Sequence, residues 1–145
     1  MIDSSANYGG QNFATPDVNP PVVLLFEEHE DTRIMLRFAI EMWGKRVVEA
    51  KEGERALDAA NRVQPDLILL DGGLPLERSL SDARLLHETL VGRDVPIIFM
   101  SCQASADYRR EILAVGCAEF LVKPVELDEL NLVLDFYLKK KFGAR

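Results

Sequence analysis

The chain has 145 residues, of which 48% are hydrophobic, so it can bury the core of one domain of ordinary size. Its net charge of −7 argues against nucleic acid as a partner, because proteins meet phosphate backbones with basic stripes. The longest apolar run, 22–26, is far shorter than the roughly 20 residues of a spanning helix, and the N-terminus carries no basic segment followed by an apolar stretch. We therefore expect a cytoplasmic protein without a membrane segment.

Predicted strands and helices alternate along the chain after a segment, 1–20, that lacks apolar periodicity. The strands are predicted at 22–27, 46–50, 66–71, 95–100 and 119–122. The helices are predicted at about 31–43, 53–63, 81–91, 104–115 and 126–141. This alternation predicts one α/β domain over 21–141, with a parallel sheet covered by helices on both faces, between a flexible N-terminal tail and a short C-terminal tail at 142–145. Cys102 and Cys117 lack a metal-type spacing and are expected to be small core residues.

Polar residues with complementary chemistry stand where four of these strands end. Glu27 and Glu28 follow the first strand, Asp71 ends the third, Ser101 follows the fourth and Lys123 follows the last. Parallel strands bring their carboxyl ends to one edge of a sheet, so these side chains are expected to converge. Acids packed so closely repel each other unless a hard cation such as Mg²⁺ lies between them. Such a site suits the transfer of a phosphoryl group onto a carboxylate, although an Asp before Gly can also simply start a turn.

Four segments together resemble the receiver domain of the two-component response-regulator family. They are Val23–Asp31 with the acid pair, Pro65–Asp71 followed by Leu74-Pro75, Val95–Ser101, and Phe120–Pro124. The resemblance covers about 21–138, and the intervals of 30 residues from Asp71 to Ser101 and 22 from Ser101 to Lys123 agree with the family's usual spacing. It implies a flavodoxin-like (βα)5 fold, a doubly wound parallel sheet of five strands in the order 2-1-3-4-5.

The resemblance also implies an acceptor and a metal site. Asp71 would take a phosphoryl group from a histidine kinase or a histidine phosphotransfer protein. The carboxylates of Glu27, Glu28 and Asp71 and the backbone carbonyl of Gly73 would hold Mg²⁺ or Mn²⁺. The chain would then be a signalling domain rather than an enzyme, catalysing only its own phosphorylation and dephosphorylation.

The family's remaining site residues are implied at three further positions. Ser101 would donate a hydrogen bond to a phosphoryl oxygen, and Lys123 would pair with another. Phe120 stands at the position of the aromatic switch residue. Phosphorylation would draw Ser101 toward the phosphate and let Phe120 turn inward, and a downstream protein would bind the altered surface around the fourth helix, fifth strand and fifth helix.

Two features depart from the family's pattern. The acid pair is Glu-Glu, whereas the family usually has Asp at the second position, so the Glu28 carboxylate stands about a bond length further out than usual. After Pro75, residues 76–81 precede Asp82-Ala83, which predicts a loop about four residues longer than usual and a third helix that begins at 81.

The last helix carries more apolar residues than one sheet face requires. Leu127, Leu130, Leu134 and Leu138 form one stripe, which Val133, Phe136 and Tyr137 widen. Either all of them belong to the core, or this helix forms the surface of a homodimer or of a contact with another protein.

Three function classes are open on sequence. The leading one is a stand-alone receiver controlled by phosphorylation, since the chain is short for a receiver plus an output domain. The second is a degenerate receiver that folds and dimerises without being phosphorylated. The third is an enzyme resembling haloacid dehalogenases, which needs a second acid where Gly73 stands; a nucleotide-binding flavodoxin-like protein is disfavoured because the first strand–helix turn is acidic rather than Gly-rich.

Overall fold

The computed structural model describes residues 19–73 and 75–142, which form five strands and five helices in strict alternation. The strands are β1 (Val22–Phe26), β2 (Arg46–Glu49), β3 (Leu67–Asp71), β4 (Ile97–Ser101) and β5 (Glu119–Val122). The helices are α1 (Glu30–Met42), α2 (Ala56–Val63), α3 (Leu76–Leu90), α4 (Ala106–Ala114) and α5 (Leu127–Phe142). Of the tails predicted at 1–20 and 142–145, residues 1–18 and 143–145 lie outside the described residues, whereas Phe142 ends α5.

All five strands are parallel and stand in the order β2-β1-β3-β4-β5, which confirms the predicted topology. In this order β3 lies in the middle of the sheet and pairs with β1 on one side and β4 on the other. The strand β3 is buried along four of its five residues, and β4 along all five, as expected for strands covered on both faces.

The helices divide between the two faces of the sheet because successive side chains of a strand point in opposite directions. Leu67 and Leu69 of β3 belong to a core cluster with α1 and α5. Ile68 and Leu70 belong to a second cluster with α2, α3 and α4. The sheet therefore stands rigidly between two apolar layers, and its carboxyl edge is held in place from both sides.

The long loop predicted at 76–81 is absent, and the prediction was wrong. Helix α3 begins at Leu76, directly after Pro75, whose extended backbone starts the helix. Leu76 and Leu80 pack against the core cluster, and Ser79 is buried one turn into the helix. These positions continue the helical spacing of the later buried residues of α3. This spacing is the sequence signal for the earlier helix start.

Two further expectations about the core need correction. Cys117 is buried, and burial raises the pKa of its thiol to about 12, but Cys102 is exposed because it follows the last residue of β4 at the open edge. On α5 the leucines at 130, 134 and 138 are buried in the core, as one of the two alternatives predicts. Phe136, however, is 60% exposed, and Leu132 beside it is 72% exposed. Among the helices of the described ranges, none has the length and apolar character to cross a membrane.

Gly72 follows the last residue of β3, at a place where the sheet edge leaves no room for a side chain. Its N–H donates a hydrogen bond to the Met100 carbonyl at 2.7 Å, and a Cβ added here would overlap the ring of Phe99, which is fully buried. We expect Gly72→Ala to lower the free energy of unfolding by about 1–3 kcal/mol, the usual cost of overpacking, measured by urea denaturation.

The matched test is a double-mutant cycle with Phe99→Leu, which removes the ring that the added methyl group meets. The cost of Gly72→Ala should be smaller in the Phe99→Leu background than in the wild type. Equal costs in both backgrounds would contradict the steric explanation.

Candidate functional site

The carboxyl edge of the sheet brings together four of the side chains predicted to converge. Asp71 ends β3 in the centre, Glu27 follows β1 on one side, and Ser101 ends β4 on the other. Lys123 follows β5, and its backbone N–H donates to the Ser101 carbonyl at 2.9 Å. An open cavity of about 570 Å³ lies beside Asp71 and is lined by both glutamates of the acid pair.

The centre of this site is an ion triad of Lys123, Glu27 and Asp71. The Lys123 Nζ donates hydrogen bonds to Asp71 Oδ1 at 3.0 Å and to Glu27 Oε2 at 3.1 Å. The Glu27 side chain is fully buried, and those of Asp71 and Lys123 are about nine-tenths buried. Burial alone would lower the pKa of Lys123, but the hydrogen bonds that it donates to Glu27 and Asp71 outweigh burial and raise that pKa, so the ammonium stays charged.

The loop that carries the two glutamates is held by hydrogen bonds from three directions. The His29 N–H donates to Glu27 Oε2 at 3.2 Å, and the Glu28 N–H lies 3.4 Å from Asp71 Oδ2. Arg33 of α1 donates through Nη1 to the Glu27 carbonyl at 3.0 Å, and its Nε lies 3.3 Å from Glu49 Oε1 on β2. The sequence analysis missed Arg33, although its position one turn into α1 after an acid pair is a signal that could have identified it.

Glu28 and Gly73 face each other across the mouth of the site. The Glu28 side chain is exposed, and its Oε2 lies 3.8 Å from where a Cβ of Gly73 would stand. The Gly73 carbonyl accepts a hydrogen bond from the hydroxyl of Ser79 at 2.8 Å. Ser79 was assigned to the predicted loop and therefore missed as a site residue.

The chemistry of these groups fits a divalent metal ion such as Mg²⁺, which prefers carboxylate and carbonyl oxygens. The Glu27 Oε1 is buried and has no hydrogen-bond partner in the described part of the chain, although Lys123 Nζ lies 3.0 Å away in poor geometry. This oxygen, the Asp71 carboxylate and the Gly73 carbonyl are hard donors of the required kind. Among the described residues, no three acidic, Cys or His side chains are gathered as a ready-made metal cluster, and the Lys123 ammonium stands between Glu27 and Asp71.

Ser101 is buried next to this triad. It is 1% exposed, and its hydroxyl oxygen accepts the N–H of Gln103 at 3.0 Å. A hydroxyl that accepts a hydrogen bond still has its own proton to donate, so Ser101 can serve as a donor to an anion at this edge.

Phe120 already points into the core in this structure. Its ring is 3% exposed and stacks on Phe99 with 5.8 Å between centroids, while Tyr108 of α4 meets it edge-on at 6.1 Å. The guanidinium of Arg109 lies 5.7 Å from the centre of the same ring, within the range of a cation–π contact. Tyr108 and Arg109 are neighbours of Phe120 that the sequence analysis did not identify.

The fold is a doubly wound parallel α/β sheet with acidic, hydroxyl and lysine side chains at its carboxyl edge, and sequence comparison identifies its family. The model of the family described as "Response regulator receiver domain" matches residues 23–135, so the chain belongs to this family. Receiver domains are signalling domains of two-component systems that interact with histidine kinases and bind Mg²⁺ in their active site.

Two curated relatives are transcriptional regulators. The chain is 32% identical over 108 residues to the phosphate regulon transcriptional regulatory protein PhoB of Klebsiella pneumoniae, covering 74% of the chain and 47% of the relative. It is 33% identical over 124 residues to the transcriptional regulatory protein PrrA of Mycobacterium tuberculosis, covering 86% of the chain and 52% of the relative. The chain thus spans about half the length of the curated relatives it matches.

Two solved structures are similar over nearly their whole length. The receiver domain of the Francisella response regulator 1452 is 25% identical with a TM-score of 0.74, and the alignment covers 83% of this chain and 98% of that one. The receiver domain of the sensor histidine kinase PA1611 from Pseudomonas aeruginosa is 28% identical with a TM-score of 0.69, covering 82% and 98%. That structure has a magnesium ion coordinated in its active site cleft.

The rim of the cavity also contains a carboxylate with a strongly lowered pKa. Glu54 accepts hydrogen bonds from Arg62 at 2.8 and 2.9 Å and from the Lys51 N–H at 2.9 Å, and these lower its pKa from 4.5 to about 2. A depressed pKa adds stability above the unfolded-state value, and this stability is lost as the pH falls toward the folded-state value. We expect Glu54→Gln to be less stable than the wild type at pH 6, with the difference in urea midpoint shrinking as the pH falls from about 4.5 toward 2.

Glu52→Gln is the control, because Glu52 is an exposed neighbour in the same loop. Its difference from the wild type should be small and nearly constant over this range. A Glu54→Gln difference that does not change with pH would show that the Arg62 contact adds no pH-dependent stability.

Proposed function

We propose that this receiver accepts a phosphoryl group on Asp71 from the phosphohistidine of a histidine kinase or a histidine phosphotransfer protein, in a Mg²⁺-dependent reaction. The observation that carries the proposal is the Asp71 carboxylate at the end of β3, held by Lys123 Nζ at 3.0 Å beside an open cavity. Signalling would then proceed by protein contact, in the cytoplasm. That the protein stands alone, without an output domain, stays a prediction.

In the proposed reaction an oxygen of Asp71 attacks the phosphorus of phosphohistidine. A P–O bond forms, the P–N bond breaks, and the imidazole of the donor leaves with the bonding pair and takes up a proton. Lys123 stays charged and stabilises the negative charge that develops on the transferred group. Ser101 keeps a proton for a hydrogen bond to one of its oxygens.

The proposed metal ligands are the carboxylates of Glu27, Glu28 and Asp71 and the backbone carbonyl of Gly73. The bound ion would neutralise charge on the phosphoryl oxygens. The buried Oε1 of Glu27 supports this assignment, because it accepts no hydrogen bond of good geometry among the described residues, although it is paired with Lys123 Nζ at 3.0 Å. Glu28 is the outermost candidate, because its side chain is exposed.

The proposed switch uses Ser101 and Phe120, whose inward position is stabilised by its aromatic neighbours. Phosphorylation would draw Ser101 toward the phosphate and shift the balance between two arrangements of β4, α4 and β5.

A second candidate function is a degenerate receiver that acts as an interaction or dimerisation module without phosphorylation. One observation favours it: the Glu-Glu pair, whose second member is usually Asp in the family. The exposed Leu132 and Phe136 on α5 supply an apolar surface for a homodimer or another protein. Both candidates share this surface, so phosphorylation itself distinguishes them.

The deciding experiment is the intact mass after incubation with Mg²⁺ and acetyl phosphate. The wild type should gain one phosphoryl group, and it should gain none when the metal is chelated. Asp71→Asn should gain none because the nucleophilic oxygen is replaced by an amide nitrogen, while circular dichroism shows that it is folded.

Asp82→Asn is the matched control, since Asp82 lines the same cavity but lies on α3. This variant should be labelled like the wild type. Label on Asp71→Asn would overturn the acceptor assignment, and unlabelled but folded wild type would favour the degenerate module.

The length of the Glu28 side chain should limit the affinity of the site for Mg²⁺. Mg²⁺ demands near-ideal octahedral geometry, and the extra methylene places this carboxylate further out than the Asp usual in the family. We expect Glu28→Asp to bind Mg²⁺ several-fold more tightly than the wild type in isothermal titration calorimetry, and Glu28→Gln to bind more weakly. Glu30→Asp, the same change at the exposed start of α1, should have no effect. Equal affinity of all four proteins would exclude Glu28 from the metal site.

A further inference from the structure

The Gly73 carbonyl lies in a two-glycine segment, where no Cβ limits the rotation of the backbone. Gly72 and Gly73 follow Asp71 in succession, and glycine has the widest choice of backbone conformations. The Gly72 N–H is tied to β4 through the Met100 carbonyl at 2.7 Å. The Gly73 carbonyl is tied to a side chain instead, by the 2.8 Å hydrogen bond from Ser79.

The early start of α3 is what brings Ser79 to this carbonyl. The helix begins at Leu76, so Ser79 lies one turn in, and its N–H reaches back toward the Pro75 carbonyl at 3.4 Å. Ser79 as a whole is 91% buried, yet it lines the cavity beside Asp71. A loop over 76–81 would have left the Gly73 carbonyl without this donor.

We propose that Ser79 is a positioning residue for the divalent metal ion, because its hydroxyl fixes the orientation of the Gly73 carbonyl. The inference rests on the proposed function, in which Gly73 is a metal ligand. A carbonyl oxygen has two lone pairs, so one can accept from Ser79 while the other faces the ion. Holding the ligand in place before the ion binds removes an ordering cost from binding.

The test is isothermal titration of the full chain with Mg²⁺ alone, for the wild type and three variants. Ser79→Ala should weaken binding by about threefold to tenfold, the effect of one neutral hydrogen bond. Ser79→Thr keeps the hydroxyl and should bind like the wild type. Ser81→Ala is the matched control, since Ser81 is an exposed serine two residues further along the same helix.

A second measurement needs no metal. Backbone ¹⁵N relaxation of the metal-free proteins should show greater mobility at Gly73 in Ser79→Ala than in the wild type or in Ser81→Ala. In a third, labelling by acetyl phosphate should be slower in Ser79→Ala at low Mg²⁺ but reach the wild-type rate at saturating Mg²⁺, because Ser79 acts on metal binding and not on the transfer.

The outcomes separate this inference from the proposed function. Wild type that binds no Mg²⁺ would overturn both. Wild type that binds Mg²⁺, with Ser79→Ala binding equally or more tightly, would overturn the role of Ser79 and leave the metal site standing. Ser79→Thr as weak as Ser79→Ala would also overturn it, since the hydroxyl would then not be the cause.

Discussion

The ion triad of Lys123, Glu27 and Asp71 is the interaction on which the site depends. It joins groups that follow or end three different strands, and the ammonium lies within 3.1 Å of both carboxylates. Without Lys123, two largely buried carboxylates would face each other in a poorly hydrated place, where like charges repel strongly. The Lys123 ammonium offsets this repulsion at the end of β3, where the proposed acceptor Asp71 stands.

The two apolar layers of the fold give this triad its geometry. The alternation of Leu67 and Leu69 with Ile68 and Leu70 anchors β3 to helices on both faces, so Asp71 is delivered to the edge by a strand that cannot shift its register. Around this fixed centre hydrogen bonds hold the loops, among them those from Arg33 to the glutamate loop and from Ser79 to Gly73. The rigid sheet thus sets where Asp71 stands, and the loop contacts set where the neighbouring oxygens point.

The aromatic group around Phe120 lies on the same strands as the site. Phe99, Tyr108 and Phe120 belong to one buried cluster with residues of α3 and α4. Ser101 ends β4, which also contains Phe99, and Lys123 follows β5, which also contains Phe120. These two strands are the route by which the proposed event at Asp71 would change a surface that another protein binds.

Much of this architecture could be predicted from the sequence because it depends on local patterns. Continuous apolar runs at β1, β3 and β4 indicated buried parallel strands, and polar residues at their ends indicated a shared edge. The start of α3 was missed because the family's usual helix start was expected near Asp82, while the helical spacing of Leu76, Ser79 and Leu80 was overlooked. Cys102 was predicted to be a core residue and is exposed, because β4 ends one residue before it, at Ser101.

The sequence by itself determined the order of elements, the location of the candidate site and the types of side chain in it, since strand and helix periods and the ends of apolar runs are properties of neighbouring residues. Only the tertiary structure decided that Lys123 lies between Glu27 and Asp71, that Ser79 holds the Gly73 carbonyl, and that Phe120 points inward. Residues 96 positions apart in the chain make the first of these contacts. Contacts of this kind depend on how helices and strands pack across the sheet, which no local pattern in the sequence specifies.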